Sequence, residues 1–367
     1  MLYREFGRTG KKVSLIGFGG MRFKEEDYLD GDYSKALALI HRAHALGINY
    51  FDTAPGYCHD HSEKILGQAF KTMERSSFYI STKCGLGNAQ HSGEGRRMIE
   101  QSLERLNVDK VDFYNMWSIK SMAEYREFLK KDGIYAAALQ AQSEGLIDHI
   151  CFTTHMSGQE IAQVANDGLF EGVTLGYNAV NFAYRQEGLE ACHAAGLGIV
   201  TMNPLGGGLI PTYSDYFAFL RRGEDSLVVS ALKFILGQNK ATVALVGFSA
   251  LQEVEKNILA TQNLPSPEEL SLDEMRKNLS SELNSLCTTC AYCDTCPAGI
   301  PIPQLLEAYN LYILSSGDRE ACLNRLRNHW GVSSREASRC TACGQCEALC
   351  TQKLPIIKRL EEMASFA

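Results

Sequence analysis

The sequence predicts an α/β chain: a (β/α)8 TIM barrel followed by a small helical domain rich in cysteine. Three observations carry that expectation. Short apolar runs of β-forming residues recur eight times up to Phe248, each followed by an amphipathic stretch, and strands alternating with helices make a parallel sheet. The segment Leu264-Pro265-Ser266-Pro267-Glu268-Glu269 then has the composition of a linker. Beyond it, eight of the thirteen cysteines fall in two tight rows. The expected organisation is a barrel over 1–264, a linker over 265–286 and a cysteine domain over 287–367.

The first run, Val13 to Gly17, precedes a helix over Ser34 to Leu46 that Gly47 closes. Tyr50 to Ala54 and Phe78 to Lys83 are the second and third strands. A helix over Gly95 to Leu106 leads to the fourth, Val111 to Trp117. His149 to Thr154 is the fifth, followed by a helix over Ser157 to Asn166. Val173 to Asn178 and Ile199 to Asn203 come next. A helix over Val228 to Leu236, closed by Gly237, precedes the eighth, Val243 to Phe248. Eight such repeats in one domain fit a barrel. A doubly wound sheet would want a glycine-rich phosphate turn after an early strand. Gly17-Phe18-Gly19-Gly20-Met21-Arg22 supplies only part of one, with Arg22 where the third glycine belongs. In the cysteine domain, Ile302 to Leu314 and Glu320 to Trp330 read as helices.

A hydrophobic share of 45% and a charged share of 22% are ordinary for a globular chain. The net charge of −7 argues against nucleic acid as a partner. No apolar run is long enough to span a bilayer, and Met1-Leu2-Tyr3-Arg4-Glu5 opens with no signal-like apolar region. The expectation is a soluble cytoplasmic protein without nucleic-acid or membrane partners.

Cys287, Cys290, Cys293 and Cys296 form the first row, and Cys340, Cys343, Cys346 and Cys350 the second. Three thiolates at two-residue gaps can wrap one iron–sulfur cube, while the displaced fourth reaches the partner cube. This is the two-cluster ferredoxin pattern. It assigns Cys287, Cys290, Cys293 and Cys350 to one 4Fe-4S cluster. Cys296, Cys340, Cys343 and Cys346 go to the other. Structural zinc more often uses two Cys-x-x-Cys pairs farther apart, and cytosolic disulfides are rare. The first row ends Cys296-Pro297, whereas the second ends Cys350-Thr351 with Pro355 five residues after Cys350. No ligand is lost by that difference. Most of the five cysteines outside the rows, Cys58, Cys84, Cys151, Cys192 and Cys322, read as small buried hydrophobes.

Barrel chemistry sits at the C-terminal ends of the strands. Asp52, Tyr57 and Lys83 would converge there. A tyrosine titrates near ~10, and a neighbouring ammonium favours the phenolate. The aspartate would keep the lysine charged and aimed. The trio could then protonate a carbonyl oxygen as hydride arrives at carbon. The plainer alternative is a barrel-mouth ion pair beside a packed tyrosine.

Gly17-Phe18-Gly19-Gly20-Met21, Phe51-Asp52-Thr53-Ala54-Pro55-Gly56-Tyr57 and Ser81-Thr82-Lys83 resemble the aldo/keto reductases. So do Asn203-Pro204-Leu205-Gly206-Gly207-Gly208 and the stretch from Gly247-Phe248-Ser249 to Asn257, so that the likeness covers about residues 1–262. The cysteine domain is similar to the ferredoxin-type extension of one branch of that family. The resemblance implies an oxidoreductase that reduces an aldehyde or ketone with NADH or NADPH. It places Asp52, Tyr57 and Lys83 at three catalytic positions. Trp117 takes the fourth, where the family usually has histidine. Gly19, Met21, Thr153, Thr154, Leu205, Gly207, Gly247, Ser249 and Asn257 fall at cofactor positions.

The departures from the family pattern point one way. Indole can donate a hydrogen bond but cannot accept one or titrate. Gly176 supplies no side chain where the family holds the nicotinamide amide. Gly206 replaces a frequent lysine. Glu253 stands near the expected ribose phosphate, where a carboxylate repels a 2′-phosphate. The expectation is a preference for NADH, weak cofactor binding, or another electron route. His155 reads as a packed loop histidine rather than a catalytic one. Two functions stay open. One is a carbonyl-reducing iron–sulfur enzyme with Tyr57 as general acid, serving a small carbonyl substrate and a redox partner protein. The other is an electron-transfer or interaction protein on a barrel that has lost ordinary NADPH-dependent reductase activity.

Overall fold

The repeat of strand and helix closes on itself. A computed structural model describes residues 1–270, 272, 286–287 and 291–366. Among them, eight parallel strands form a closed barrel, preceded by a two-stranded antiparallel sheet. The small sheet pairs β1 (Tyr3–Glu5) with β2 (Lys12–Ser14). The barrel strands are β3 (Ile16–Gly19), β4 (Tyr50–Asp52), β5 (Tyr79–Cys84) and β6 (Val111–Ile119). They continue with β7 (Ile147–Thr154), β8 (Gly172–Gly176), β9 (Gly198–Met202) and β10 (Val243–Gly247). β10 seals the cylinder, with Ala244 level with Ile16 on one side and Thr201 on the other.

The first apolar run divides between the two sheets. Val13 belongs to β2, and only Ile16 onward joins the barrel. Ser14 turns the chain between them. Its hydroxyl donates to the Ile16 carbonyl at 2.7 Å and accepts from the Asn49 amide at 3.0 Å. A side chain that bonds nearby backbone in this way interrupts a continuous ladder. The connection between β1 and β2 carries Phe6 into a buried cluster with Tyr50, Phe113, Cys151, Val200 and Val243. A Cβ on Gly198 or Gly172 would lie 2.0 or 2.5 Å from the Phe6 ring, so the ring fits only against glycine.

The helices of the barrel begin with α1 (Ser34–Ala45), α2 (Ser62–Phe70), α3 (Ser92–Leu106), α4 (Met122–Phe128) and α5 (Ile134–Ser143). Then come α6 (Gly158–Asn166), α7 (Phe182–Ala194), α8 (Leu209–Thr212), α9 (Leu227–Leu236) and α10 (Leu251–Ile258). Local signals set several ends. Ser157 and Glu160 form a capping box at the start of α6, and Asn107 ends α3 in the left-handed conformation at φ 53°.

The chain forms two compact units. One comprises Met1–Pro204 and Arg221–Ser271, the other Leu205–Leu220 and Leu272–Ala367. The segment after β9, with α8, therefore belongs to the cysteine-bearing unit. Within that unit α11 (Ile302–Leu314) matches its expected span, and α12 (Arg319–Arg325) passes into a wider π turn at Leu326–Trp330. The buried Glu307 carboxylate on α11 ties the unit together. It accepts from the Tyr213 hydroxyl at 2.5 Å, from Arg325 at 2.8 Å and from the Trp330 indole at 2.7 Å.

The second unit repeats itself. α13 (Gln345–Leu349) lies within the second cysteine row, and α14 (Ile356–Ala364) follows it. Both α11 and α14 start after a proline of the same shape, Pro301 at φ −76°, ψ 68° and Pro355 at φ −76°, ψ 73°. Three residues after the last cysteine of each row the chain turns left-handed, at Gly299 (φ 65°) and Lys353 (φ 53°). Their amides return to the Cys296 and Cys350 carbonyls at 2.9 and 3.3 Å. Ala291 (φ 61°) and Gly344 (φ 77°) each follow the second cysteine of a row. Cys290, with residues 271 and 273–285 of the expected linker, lies outside the described residues. Among the described residues no helix is long and apolar enough to cross a membrane.

Candidate active site

Asp52 ends β4 level with Ser81 of β5. The Lys83 ammonium reaches an Asp52 carboxylate oxygen at 2.6 Å, and both side chains are 3% exposed. The Ser81 hydroxyl donates to the other oxygen at 2.8 Å and accepts from the Asn115 amide at 3.0 Å. Both oxygens of the carboxylate thus have donors. That condition is what lets a charge pair stay buried. Tyr57 enters from the connection after β4, and the Lys83 Nζ lies 5.2 Å from the centre of its ring. Trp117, on β6, meets the same ring edge-on, with centroids 5.7 Å apart and planes at 87°. The four side chains assigned to catalysis come together at the C-terminal ends of β4, β5 and β6.

The segment that delivers Tyr57 is strained. Cys58, His59 and Asp60 are consecutive left-handed residues, at φ 53°, 52° and 66°. Each costs about 1–2 kcal/mol outside glycine. Hydrogen bonds hold the turn. The Gly56 amide donates to Asp60 at 2.9 Å, and the Ser62 amide to the Tyr57 carbonyl at 3.1 Å. The Ser62 hydroxyl donates to the Gly20 carbonyl at 2.6 Å. A Cβ on Gly20 would approach that hydroxyl to 2.6 Å. Strain of this kind persists where the surroundings over-determine it. Burial pushes the neighbouring Cys58 thiol up to about 11, so it stays protonated near neutrality.

The expected cofactor positions divide. Gly19 and Gly247 are level on adjacent strands β3 and β10, and the Arg22 side chain lies where a Cβ on Gly247 would be. Met21 is exposed and Asn257 is buried on α10. The Thr153 hydroxyl accepts from the Ser118 amide at 2.6 Å, which leaves its own proton to donate. The Thr154 hydroxyl donates to the Ile119 carbonyl at 2.9 Å and accepts from the Met156 amide at 3.0 Å, so it is engaged with backbone on both sides. Ser249 faces Glu253, whose carboxylate accepts from the Ser249 amide at 2.7 Å, its hydroxyl at 3.1 Å and the Ala250 amide at 3.2 Å. Leu205 and Gly207 belong to the cysteine-bearing unit. There Gly206, Gly207 and Gly208 adopt φ 65°, 70° and 98° in succession, a run suited to glycine.

One residue was not foreseen from the sequence. Arg185 on α7 is fully buried. Its guanidinium donates to the Gly176 carbonyl at 3.0 Å and the His155 carbonyl at 3.3 Å, at the ends of β8 and β7. A Cβ on Gly176 would lie 3.3 Å from that guanidinium, so the bare glycine accommodates the arginine. His155 is itself buried, in keeping with a packed residue.

A model of the aldo/keto reductase family matches residues 15–275. The chain belongs to this family. It is 30% identical over 300 residues to L-galactose dehydrogenase of Arabidopsis thaliana, covering 72% of this chain and 89% of that protein. It is 26% identical over 322 residues to NADH-specific methylglyoxal reductase of Escherichia coli, covering 74% and 98%. Among solved structures it resembles an aldo-keto reductase of Bacillus halodurans in its holo form, with a TM-score of 0.63 at 20% identity over 77% of this chain and 97% of the other. A Klebsiella pneumoniae aldo-keto reductase in complex with NADPH has the same TM-score of 0.63 at 19% identity, over 76% and 95%. The chain is an aldo/keto reductase-like oxidoreductase on an eight-stranded barrel.

The family match ends before the cysteine rows. Cys287, Cys293, Cys346 and Cys350 are buried in one apolar cluster with residues such as Ile302, Leu305, Ile356 and Leu360. Cys293, Cys296, Cys340, Cys343 and Cys346 line one cavity, so the third and fourth cysteines of the first row sit with the first three of the second. The Cys340 and Cys350 sulfurs accept from the Ala342 and Leu354 amides, each at 3.4 Å. Among the described residues, which lack Cys290, no three His, Cys, Asp or Glu side chains converge as on a single metal ion. Sulfur-rich, apolar surroundings with amide donors fit an iron–sulfur group.

Proposed function

We propose that this aldo/keto reductase reduces a small aldehyde or ketone to the alcohol, with Tyr57 as general acid and NADH as the preferred hydride donor. The observation that carries the proposal is the buried Asp52–Lys83 pair beneath the Tyr57 ring. A bound nicotinamide would supply hydride to the carbonyl carbon. Tyr57 gives its proton to the carbonyl oxygen, and the Lys83 ammonium stabilises the negative charge left on the phenol. Asp52, held by Ser81, keeps Lys83 in place. Trp117 packs on the Tyr57 edge and offers an N–H donor where the family usually has histidine. Thr153 is a further polar side chain at the strand ends with a proton to give.

Glu253 supports the choice of NADH. Its carboxylate already occupies the amides at the start of α10, where a 2′-phosphate would need positive potential. The similarity to an NADH-specific reductase agrees with this reading. In the second unit, Cys287, Cys290, Cys293 and Cys350 would hold one 4Fe-4S cluster, and Cys296, Cys340, Cys343 and Cys346 the other. Such clusters would supply one-electron transfer, to or from a redox partner protein.

The test is Tyr57→Phe under anaerobic conditions with NADH and short aldehydes. Turnover should fall by about 10²–10⁴, the usual worth of a positioned general acid, while NADH binding stays unchanged. A variant that reduces aldehydes as fast as the parent would remove Tyr57 from the mechanism.

A further inference from the structure

The strand that carries Trp117 holds one residue too many at that point. Along β6 and β7, Met116 is level with Phe152 and Ile119 with Thr154. Trp117 and Ser118 therefore stand opposite Thr153 alone, which is a β-bulge. Bulges are rare between parallel strands, and they gather beside active sites, where they re-aim a side chain. The ladder has not simply frayed, because pairing resumes at Ile119. Ser118 takes up the extra length in the left-handed region, at φ 62°. In a residue other than glycine that conformation persists only where the surroundings over-determine it, and it clusters at functional sites.

Hydroxyls of β7 supply those surroundings. The Ser118 amide donates to the Thr153 hydroxyl at 2.6 Å. The next carbonyl, of Ile119, accepts from the Thr154 hydroxyl at 2.9 Å and from the His155 amide at 3.1 Å. Two consecutive threonines thus stand in for ladder bonds where the extra residue disrupts them. The Ser118 hydroxyl takes no part, since its oxygen is buried with no hydrogen-bond partner among the described residues. On the other side, a Cβ on Gly85 would lie 3.2 Å from the Trp117 carbonyl oxygen and 3.4 Å from its Cβ. The glycine just after β5 lets the two backbones close up. The bulge is gripped from both neighbouring strands, and it carries the indole that meets the Tyr57 ring edge-on at 5.7 Å.

We infer that Ser118 and Thr153 are positioning residues, and that the bulge they form aims the Trp117 indole at Tyr57. This rests on the reading of Tyr57 as general acid and deepens it. Indole has one N–H to donate and nothing that accepts or titrates. Its worth beside a carbonyl therefore depends on where that single bond points. Thr153 grips the bulge through an oxygen lone pair and keeps its own proton, so holding Trp117 leaves its donor available.

The experiment is a double-variant cycle on the full-length protein. Thr153→Val keeps the side-chain shape and removes the acceptor. Ser118→Val puts a β-branched residue where the backbone is left-handed, which disfavours the bulge. Each should lower aldehyde turnover at saturating NADH by up to about 10²-fold, the scale of a small misplacement. Added to Trp117→Phe, each should change turnover by less than about twofold, because both act through the indole. Thr153→Ser, which retains the hydroxyl, should retain most of the parental rate. Near-ultraviolet circular dichroism reads the aim of Trp117 without turnover. The indole band that disappears in Trp117→Phe should also disappear in Thr153→Val and Ser118→Val, and persist in Thr153→Ser. Full additive losses on top of Trp117→Phe would overturn the inference, as would an indole band unmoved in both valine variants. A parent protein that reduces no aldehyde would overturn the general-acid reading, whereas the indole band alone still decides whether the bulge aims Trp117.

Discussion

Substitution of Lys83 separates the chemistry of the site from its structure. Lys83 and Asp52 are each 3% exposed and 2.6 Å apart. Lys83→Met keeps most of the side-chain volume and leaves the Asp52 carboxylate buried without its cation. Breaking a buried pair in this way costs about 3–5 kcal/mol. Asp52→Asn restores neutrality, and its side-chain oxygen can still accept from the Ser81 hydroxyl that now bonds Asp52. The double variant should therefore recover most of the lost stability, since a buried pair replaced as a whole is often neutral. Activity should not recover with it. The phenol would lack the cation that stabilises its deprotonated form, so turnover should stay about 10²–10⁴ below the parent. Urea unfolding of the four proteins gives the stability cycle, and anaerobic NADH oxidation with a short aldehyde gives the activity cycle. Recovery of both together would mean that the pair is an ordinary ion pair at the barrel mouth.

Three further outcomes follow from other parts of the molecule. Glu253→Gln should strengthen NADPH binding by roughly fivefold, the scale of one exposed like-charge contact, and leave NADH nearly unchanged; fluorescence titration of both cofactors checks it. Phe6→Ala should destabilise the barrel by about 3–5 kcal/mol, because Gly172 and Gly198 leave a hollow shaped for the ring; the unfolding midpoint reports it. Glu307→Gln should destabilise the second unit in a pH-dependent way. Burial pushes the Glu307 carboxyl up, but hydrogen bonds from Arg325, Tyr213 and Trp330 outweigh it and hold the group below its ordinary value. Its stabilisation is present above the ordinary glutamate range and is lost as pH falls, so the gap between parent and variant melting curves should narrow below about pH 4.

The barrel was legible because each strand is a short apolar run set off by polar helices, and the eight runs each contain or overlap a barrel strand. The error at the first run has a local cause. Val13 and Ile16 look like one strand by composition, and only the hydrogen bonds of Ser14 show where it breaks. Asp52, Tyr57, Lys83 and Trp117 could be named because their motifs are compact in sequence. Arg185 could not, since nothing in a helical stretch marks an arginine that will be buried against a glycine nine residues earlier in the fold's mouth. The sign of Glu253 was readable, but its grip on the Ser249 and Ala250 amides depends on where α10 begins. The likeness of the two cysteine rows was visible as spacing.

The proposed reaction turns on direct hydride transfer to a carbonyl poised on Tyr57. It is tested most directly by incubating the anaerobic protein with NADH deuterated at both C4 positions and a short aldehyde, then locating the label in the alcohol by mass spectrometry and NMR. One deuterium on the carbinol carbon is expected with the parent protein, and about a hundredfold less product, or lower, with Tyr57→Phe. Alcohol formed without deuterium on that carbon would mean that electrons arrive by another route, and would rule out hydride transfer from NADH.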